Sequence, residues 1–240
     1  MSLLQNKVAL ITGGSKGIGY GIAKALVEQG INVAITSRSL ESAEKAAHTL
    51  YSENFGAKAI GIEADVRSFY SQQKAVKKVL DEFGQLDFVI ANAGLGHFAS
   101  IEDLTPEQWK ETIETNLTGV FYTIKSSVEA LKNSKGYFIT ISSLAGTNFF
   151  AQGSAYNASK FGLTGFTQAV MLDLRQHDVK VSTIMPGSVS TYFNGNEPDE
   201  KDDWKIQIED IGELVIDLLK MNPRTLPSKI EVRPTKPPTK

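Results

Sequence analysis

The chain contains no cysteine, which excludes a disulfide framework, a thiol nucleophile and a cysteine-ligated metal. Histidine is nearly as scarce. The 3 present, His48, His97 and His177, have no ligand spacing, so no metal site is expected; His48 and His177 lie in polar, helix-like stretches and are read as solvated. Neither sign of charge is in excess, with 25 basic residues against 27 acidic ones and a formal net charge of −2. That balance argues against the broad electrostatic footprint with which proteins bind nucleic acid or an anionic membrane. Long apolar runs are missing too. None reaches the roughly 18 residues of a membrane span, and the opening Met-Ser-Leu-Leu-Gln-Asn-Lys is too short and polar for a secretory signal. A soluble cytoplasmic protein is the expectation.

What is present is an ordinary core-forming composition, 41% hydrophobic and 22% charged over 240 residues, which suits one domain spanning 1–240. Short β-branched, apolar runs at 7–12, 32–37, 57–65, 87–91, 136–142, 179–184 and 229–232 read as strands covered on both faces. Between them lie helix patterns at 17–29, 40–53, 68–83, 105–133 (read as two helices), 153–176 and 207–221. Strand–helix alternation of this kind predicts an α/β fold, a doubly wound sheet of about seven parallel strands with helices on both faces. Two segments break the rhythm: an acidic, exposed loop over 192–205 and a proline-rich tail over 234–240, whose prolines lack donors.

The chemistry-bearing residues sit where strands end. Val-Ala-Leu-Ile-Thr-Gly-Gly-Ser-Lys-Gly-Ile-Gly, residues 8–19, leads straight from the first strand into the first helix. Its glycines, Gly13, Gly17 and Gly19, let backbone N–H groups approach a pyrophosphate that a helix N-terminus also attracts. The spacing Gly-x3-Gly-x-Gly differs from the G-x-G-x-x-G of the best-known dinucleotide loop. At the end of the second strand, where a carboxylate usually holds the adenosine ribose of NAD, this chain has Thr36-Ser37-Arg38-Ser39 and no acid before Glu41. A guanidinium at Arg38, with Lys16 nearby, suits a 2′-phosphate instead, so NADP(H) is expected over NAD(H). Further on, Tyr156 and Lys160 are one helical turn apart on a common face. A neighbouring ammonium favours the phenolate and makes a phenol usable as an acid or base. Ser143, 13 residues upstream, follows a strand and offers a second hydroxyl.

The glycine loop, Asn92-Ala93-Gly94 after the fourth strand, Asn116, Ser143, Tyr156-x3-Lys160 and Pro186-Gly187, in this order, resemble the short-chain dehydrogenase/reductase family over residues 5–233. The resemblance implies a Rossmann-type fold and transfer of hydride between a nicotinamide and a carbonyl or alcohol carbon. Tyr156 would be the general acid/base, Ser143 would polarise the carbonyl, and Lys160 would hold the nicotinamide ribose and lower the phenol's pKa. Asn116 would support a water that relays protons to Lys160. Asp65 and Val66 would bracket adenine, with Asp65 accepting from the ring amine. Ser15, Ile18, Asn92, Ala93 and Gly94 would line the groove, and Pro186, Gly187, Val189 and Thr191 would orient the carboxamide and pyrophosphate.

The chain ends its last strand in Ser-Lys-Ile-Glu-Val-Arg-Pro-Thr instead of the glycine-rich segment of relatives that reduce carrier-bound 3-oxoacyl groups. A general carbonyl reductase is therefore expected ahead of a 3-oxoacyl carrier-protein reductase or a non-catalytic NADP(H)-binding redox sensor. Leu95, His97, Phe98, Ala145, Phe149, Phe150, Gly153, Tyr192 and Phe193 are the candidates for a largely aromatic pocket that suits a small apolar ketone or aldehyde. Apolar residues beyond one stripe in the 105–133 and 153–176 helices match the family's two-fold interface, so a homotetramer, or failing that a homodimer, is expected.

Overall fold

In the computed structural model, which describes residues 4–52 and 56–237, all seven expected strands join one sheet. They are β1 (Val8–Ile11), β2 (Asn32–Ser37), β3 (Ala59–Glu63), β4 (Phe88–Ala91), β5 (Tyr137–Ile141), β6 (Lys180–Pro186) and β7 (Lys229–Val232). The order is β3-β2-β1-β4-β5-β6-β7, with every pair parallel. Parallel neighbours need crossovers, and helices supply them: α1 (Gly17–Glu28), α2 (Leu40–Ser52), α3 (Phe69–Phe83), α4 (Pro106–Ile113), α5 (Gly119–Ser134), α6 (Ser154–Leu174) and α7 (Ile208–Lys220).

Alternation along the strands divides the core in two. Ala9, Ile11, Val33, Ile35 and Ile90 point to one face, where α1, α2 and α7 cover them through Ile22, Leu26, Leu50 and Val215. Val8, Leu10, Ala34, Val89 and Phe138 point to the other, against Val79 of α3, Ile124 and Leu131 of α5 and Leu163 of α6. Each such side chain, fully withdrawn from water, contributes about 1.5–3 kcal/mol.

The expected segments differ from the observed ones mainly at their ends. The 57–65 run shortens to Ala59–Glu63, whereas β6 continues to Pro186, the last strand position, where the missing donor is replaced by Gly187 N–H bonding to Val232 O at 2.8 Å. Residue 53 of the expected 40–53 helix and residues 238–240 of the tail lie outside the described residues. The 105–133 pair is more informative. Thr105 caps α4 reciprocally with Gln108, and Pro106 opens it. Instead of a loop, a π-helical turn over Glu114–Thr118 then joins α4 to α5 without leaving helical backbone angles. Such turns occur often at functional sites, and this one carries Asn116, fully buried.

Strand order reverses between β1 and β4, so their carboxyl ends open a crevice that the helices on either face leave uncovered.

Candidate active site

That crevice is a cleft of about 770 Å³, in the range of small-molecule sites. Its floor is the glycine loop. Gly13 has φ +64°, and a Cβ there would stand 2.9 Å from the Ala93 Cα, so the loops after β1 and β4 meet only because Gly13 has no side chain. The Thr12 hydroxyl accepts from the N–H groups of Asn92 (3.0 Å) and Ala93 (3.1 Å), while Asn92 Nδ2 donates to the carbonyls of Thr12 and Gly13, both at 3.0 Å. Helix α1 begins here with no side-chain cap from Lys16, which leaves first-turn N–H groups for an anion. Ser15, Lys16, Gly17 and Ile18 line the cleft; Gly19 lies behind them, packed on Asn92 and Gly13. Thr191 sits across from Gly17, with its Cβ 3.6 Å from where a Gly17 side chain would begin. Pro186, Gly187 and Val189 complete that wall.

At the β2 end, Thr36, Ser37 and Arg38 line the cleft with Asp65, Val66 and Arg67 of the loop after β3. Among the described residues Asp65 is the only carboxylate in the lining, and it is engaged. Arg67 donates from Nε to both carboxylate oxygens at 3.1 Å, from Nη2 at 2.7 Å and from its backbone N–H at 2.9 Å. These bonds hold the Asp65 carboxyl below its ordinary value. The expected acceptor for an adenine amine is thus already a partner of Arg67, a cation the sequence reading passed over although it stands two residues beyond Asp65. Arg67 also reaches Glu111 at 3.4 Å, and Glu111 binds His97 at 2.9 Å. Arg38 and Lys16 are exposed and form no ion pair among the described residues. The Thr36 hydroxyl is buried there without a partner among the described residues.

At the other end, β5 delivers Ser143, whose hydroxyl accepts from Ala145 N–H at 3.1 Å. The first turns of α6 bring Tyr156 and Lys160 beside it. Burial pushes the Tyr156 phenol above its ordinary value, and a hydrogen bond with Ser143 acts the other way. Lys160 is 4% exposed. Its ammonium donates to Ile141 O at 3.1 Å and stands 5.6 Å from the Tyr156 ring centroid. Burial lowers it to about 8, so the lysine expected to depress the phenol is itself close to losing its proton. Asn116 Oδ1 accepts from Leu95 N–H at 2.9 Å, while Nδ2 donates to Leu95 O (2.8 Å) and to the Ser159 hydroxyl (3.0 Å). Ser143, Tyr156 and Lys160 therefore converge on the cleft's inner end, whereas Asn116 is fully buried behind Leu95 and does not line it.

The substrate candidates divide. Leu95, Tyr192 and Phe193 line the cleft; Phe98 and Phe150 are not in its lining but pack in a tilted pair 5.9 Å apart, with Phe98 5.4 Å from the Tyr156 ring. Ala145 and Gly153 are buried in the loops beneath. His97 departs from the pocket expectation because Glu111 binds it, and Phe149 does so because it is 86% exposed. The 192–205 segment is the exposed loop expected, with two short 3-10 turns at Phe193–Gly195 and Glu200–Asp202. Among the described residues no group of three or more His, Asp or Glu is placed to hold a metal, and no helix is long and apolar enough to cross a membrane.

An elongated dinucleotide fits these residues: an uncapped helix start, two unpaired cations, an orphaned hydroxyl and a buried ammonium lie along one cleft. The comparisons agree. The family model described as short chain dehydrogenase matches residues 7–202. A trans-4-hydroxycyclohexanecarboxylate dehydrogenase of Sinomonas cyclohexanicum is 36% identical over 189 residues, 77% of this chain and 73% of that protein. A 3-oxoacyl-(acyl-carrier-protein) reductase of Chlamydia muridarum is 35% identical over 206 residues, 85% of this chain and 82% of its own. Among solved structures, an alcohol dehydrogenase of the archaeon Thermococcus sibiricus, complexed with 5-hydroxy-NADP, superposes with a TM-score of 0.91 at 34% identity, covering 98% of this chain and 99% of that one. The chain belongs to the short-chain dehydrogenase/reductase family of oxidoreductases.

Proposed function

We propose that this oxidoreductase is an NADPH-dependent carbonyl reductase in which Tyr156 donates the proton. The observation that carries the reading is the convergence of Ser143, Tyr156 and Lys160 at the inner end of a cleft whose other end offers Arg38 and Lys16 but no free carboxylate. A ribose diol calls for a free acid; a 2′-phosphate calls for cations. When bound, NADPH supplies the hydride that reduces the carbonyl carbon. The chain's residues do the rest. The Tyr156 phenol, protonated at neutral pH already at its ordinary value and shifted upward by burial, gives its proton to the carbonyl oxygen as negative charge grows there. The Ser143 hydroxyl is the second donor to that oxygen, and both are fixed before the substrate arrives. Lys160 uses one bond on Ile141, which leaves two N–H groups for ribose hydroxyls. Asn116 fixes the Leu95 loop, and the second lone pair of its Oδ1 remains for a relay water.

Phe121 on α5 and Phe161 on α6, each 43% exposed, support self-association through these helices, with a homotetramer as the proposed assembly. NADPH oxidation with a panel of ketones, aldehydes and 3-oxo thioesters tests the function. Tyr156→Phe is expected to lower the rate by about 1,000-fold with NADPH binding retained. A full rate in that variant would overturn the acid assignment, and NADPH binding without turnover on any carbonyl would favour a sensor.

A further inference from the structure

Two buried asparagines each tie down one of the loops that face the substrate end of the cleft. Asn116 holds the loop after β4 by both backbone groups of Leu95. Asn157, beside Tyr156 on α6 and 8% exposed, does the same for the loop after β5. Its Nδ2 donates to Ala145 O and Asn148 O, both at 2.8 Å, and its Oδ1 accepts from Phe150 N–H at 3.4 Å. The two loops are joined to each other where Ala99 N–H donates to Gln152 O at 3.0 Å.

These two loops carry Phe98 and Phe150, and the segment after β6 brings Phe193 beside them, so that Phe98 and Phe193 flank the Tyr156 ring and Phe150 backs Phe98. Phe98 lies 5.4 Å from the Tyr156 ring, 5.9 Å from Phe150 and 6.4 Å from Phe193, and Phe193 lies 5.8 Å from Tyr156. These are tilted and edge-on arrangements of the favourable kind. Glycines make the space beneath: a Cβ on Gly96 would stand 2.8 Å from Phe98 and 3.1 Å from Phe193, and one on Gly153 would stand 2.5 Å from Phe150. The charged groups nearby do not serve an anion at this wall. His97 is bonded to Glu111, Lys205 is paired with Asp202, and Lys16 stands over Tyr192, 5.7 Å from its ring centroid.

The geometry points to an aromatic wall of Phe98, Phe150 and Phe193, its Phe150 end held in place by Asn157, that selects neutral carbonyl compounds whose larger substituent is an aryl or similarly broad apolar group. The inference rests on the carbonyl-reductase reading and names its substrate class. An aryl group packed on these rings leaves water for a matching apolar surface, whereas a carboxylate there would lose hydration without a partner. Asn157 touches no reacting atom; it is a positioning residue that acts through Phe150.

The test compares kcat/KM for acetophenone, 2-butanone and 4-acetylbenzoate with NADPH, alongside calorimetric dissociation constants for 1-phenylethanol and 2-butanol. The wild type is expected to prefer acetophenone over 2-butanone by on the order of 30-fold, with 4-acetylbenzoate disfavoured. Phe150→Ala and Asn157→Ser should each cut that preference by about tenfold, chiefly through the KM for acetophenone, while the KM for NADPH stays put. If Asn157→Ser does not fold, Phe98→Ala and Phe150→Ala carry the test. Should no carbonyl be reduced, the reductase reading falls and the wall is judged by the alcohol dissociation constants alone. Equal preference for the aryl and small compounds, a preference for the carboxylate, or a preference untouched by the variants would overturn the inference.

Discussion

Replacing Lys160 with methionine should make the protein more stable and nearly inactive. The ammonium has about 8 as its folded value against 10.5 in an open chain, and at roughly 1.4 kcal/mol per tenfold its charge costs the fold about 3 kcal/mol at pH 7. Methionine keeps the length and flexibility of the stem but leaves Ile141 O without its donor, a loss of about 1 kcal/mol. The net gain is about 2 kcal/mol, or ~4–8 °C in Tm for a chain of this size. Because the folded value lies below the unfolded one, the unfolded chain holds the extra proton between pH 8 and 10.5, and wild-type stability climbs with pH across that window. The variant's advantage should therefore be constant below pH 8 and shrink above it, with other titrating groups cancelling in the difference. Urea unfolding of both proteins at about pH 7 and pH 10 reads it directly. A variant less stable than the wild type at pH 7, or a gap that does not narrow with pH, would refute the reasoning.

Arg38→Asp should raise the KM for NADPH by roughly 10- to 100-fold, the worth of a charge-assisted bond, and lower that for NADH; unchanged NADPH kinetics would remove Arg38 from the cofactor site. Gly19→Ala places a Cβ 2.5 Å from Asn92 Nδ2 and 2.6 Å from Gly13 O, neither of which can yield without breaking the lock between the loops. A loss of about 1–3 kcal/mol with weakened dinucleotide binding is expected in urea titration and fluorescence, and full tolerance would contradict the close approach. Thr36→Val removes a buried hydroxyl without a partner among the described residues and should stabilise the free protein by about 1 kcal/mol while weakening NADPH binding. A destabilised variant would mean that the hydroxyl has a partner within the fold.

The order of elements was legible because β-branched runs and 3.6-residue patterns report burial, and burial is uniform in the central strands: every residue of β1, β4 and β5 is buried. The convergence of Ser143, Tyr156 and Lys160 was legible because two of them share a helix face and the third ends a strand. Pairings between distant polar side chains were not. Nothing local in the sequence says that Arg67 closes on Asp65 or that Glu111, 14 residues from His97, draws it away from the pocket. The π-helical turn was hidden for a related reason: it shows no break in the apolar pattern, only one extra residue per turn, and its consequence is where Asn116 points.

Asn157 makes the same point more sharply. As a letter between Tyr156 and Ala158 it looks incidental, and its meaning lies in two carbonyls 9 and 12 residues upstream that its amide reaches. The polar groups that a packed core would do best without, Lys160, Tyr156 and the Thr36 hydroxyl, all lie along one crevice at the carboxyl ends of the strands. Packing alone would replace them with apolar residues at a gain in stability. Their presence in a single line, beside a loop whose glycines exist to let backbones approach, is explained by what the cleft must hold and not by what the fold requires.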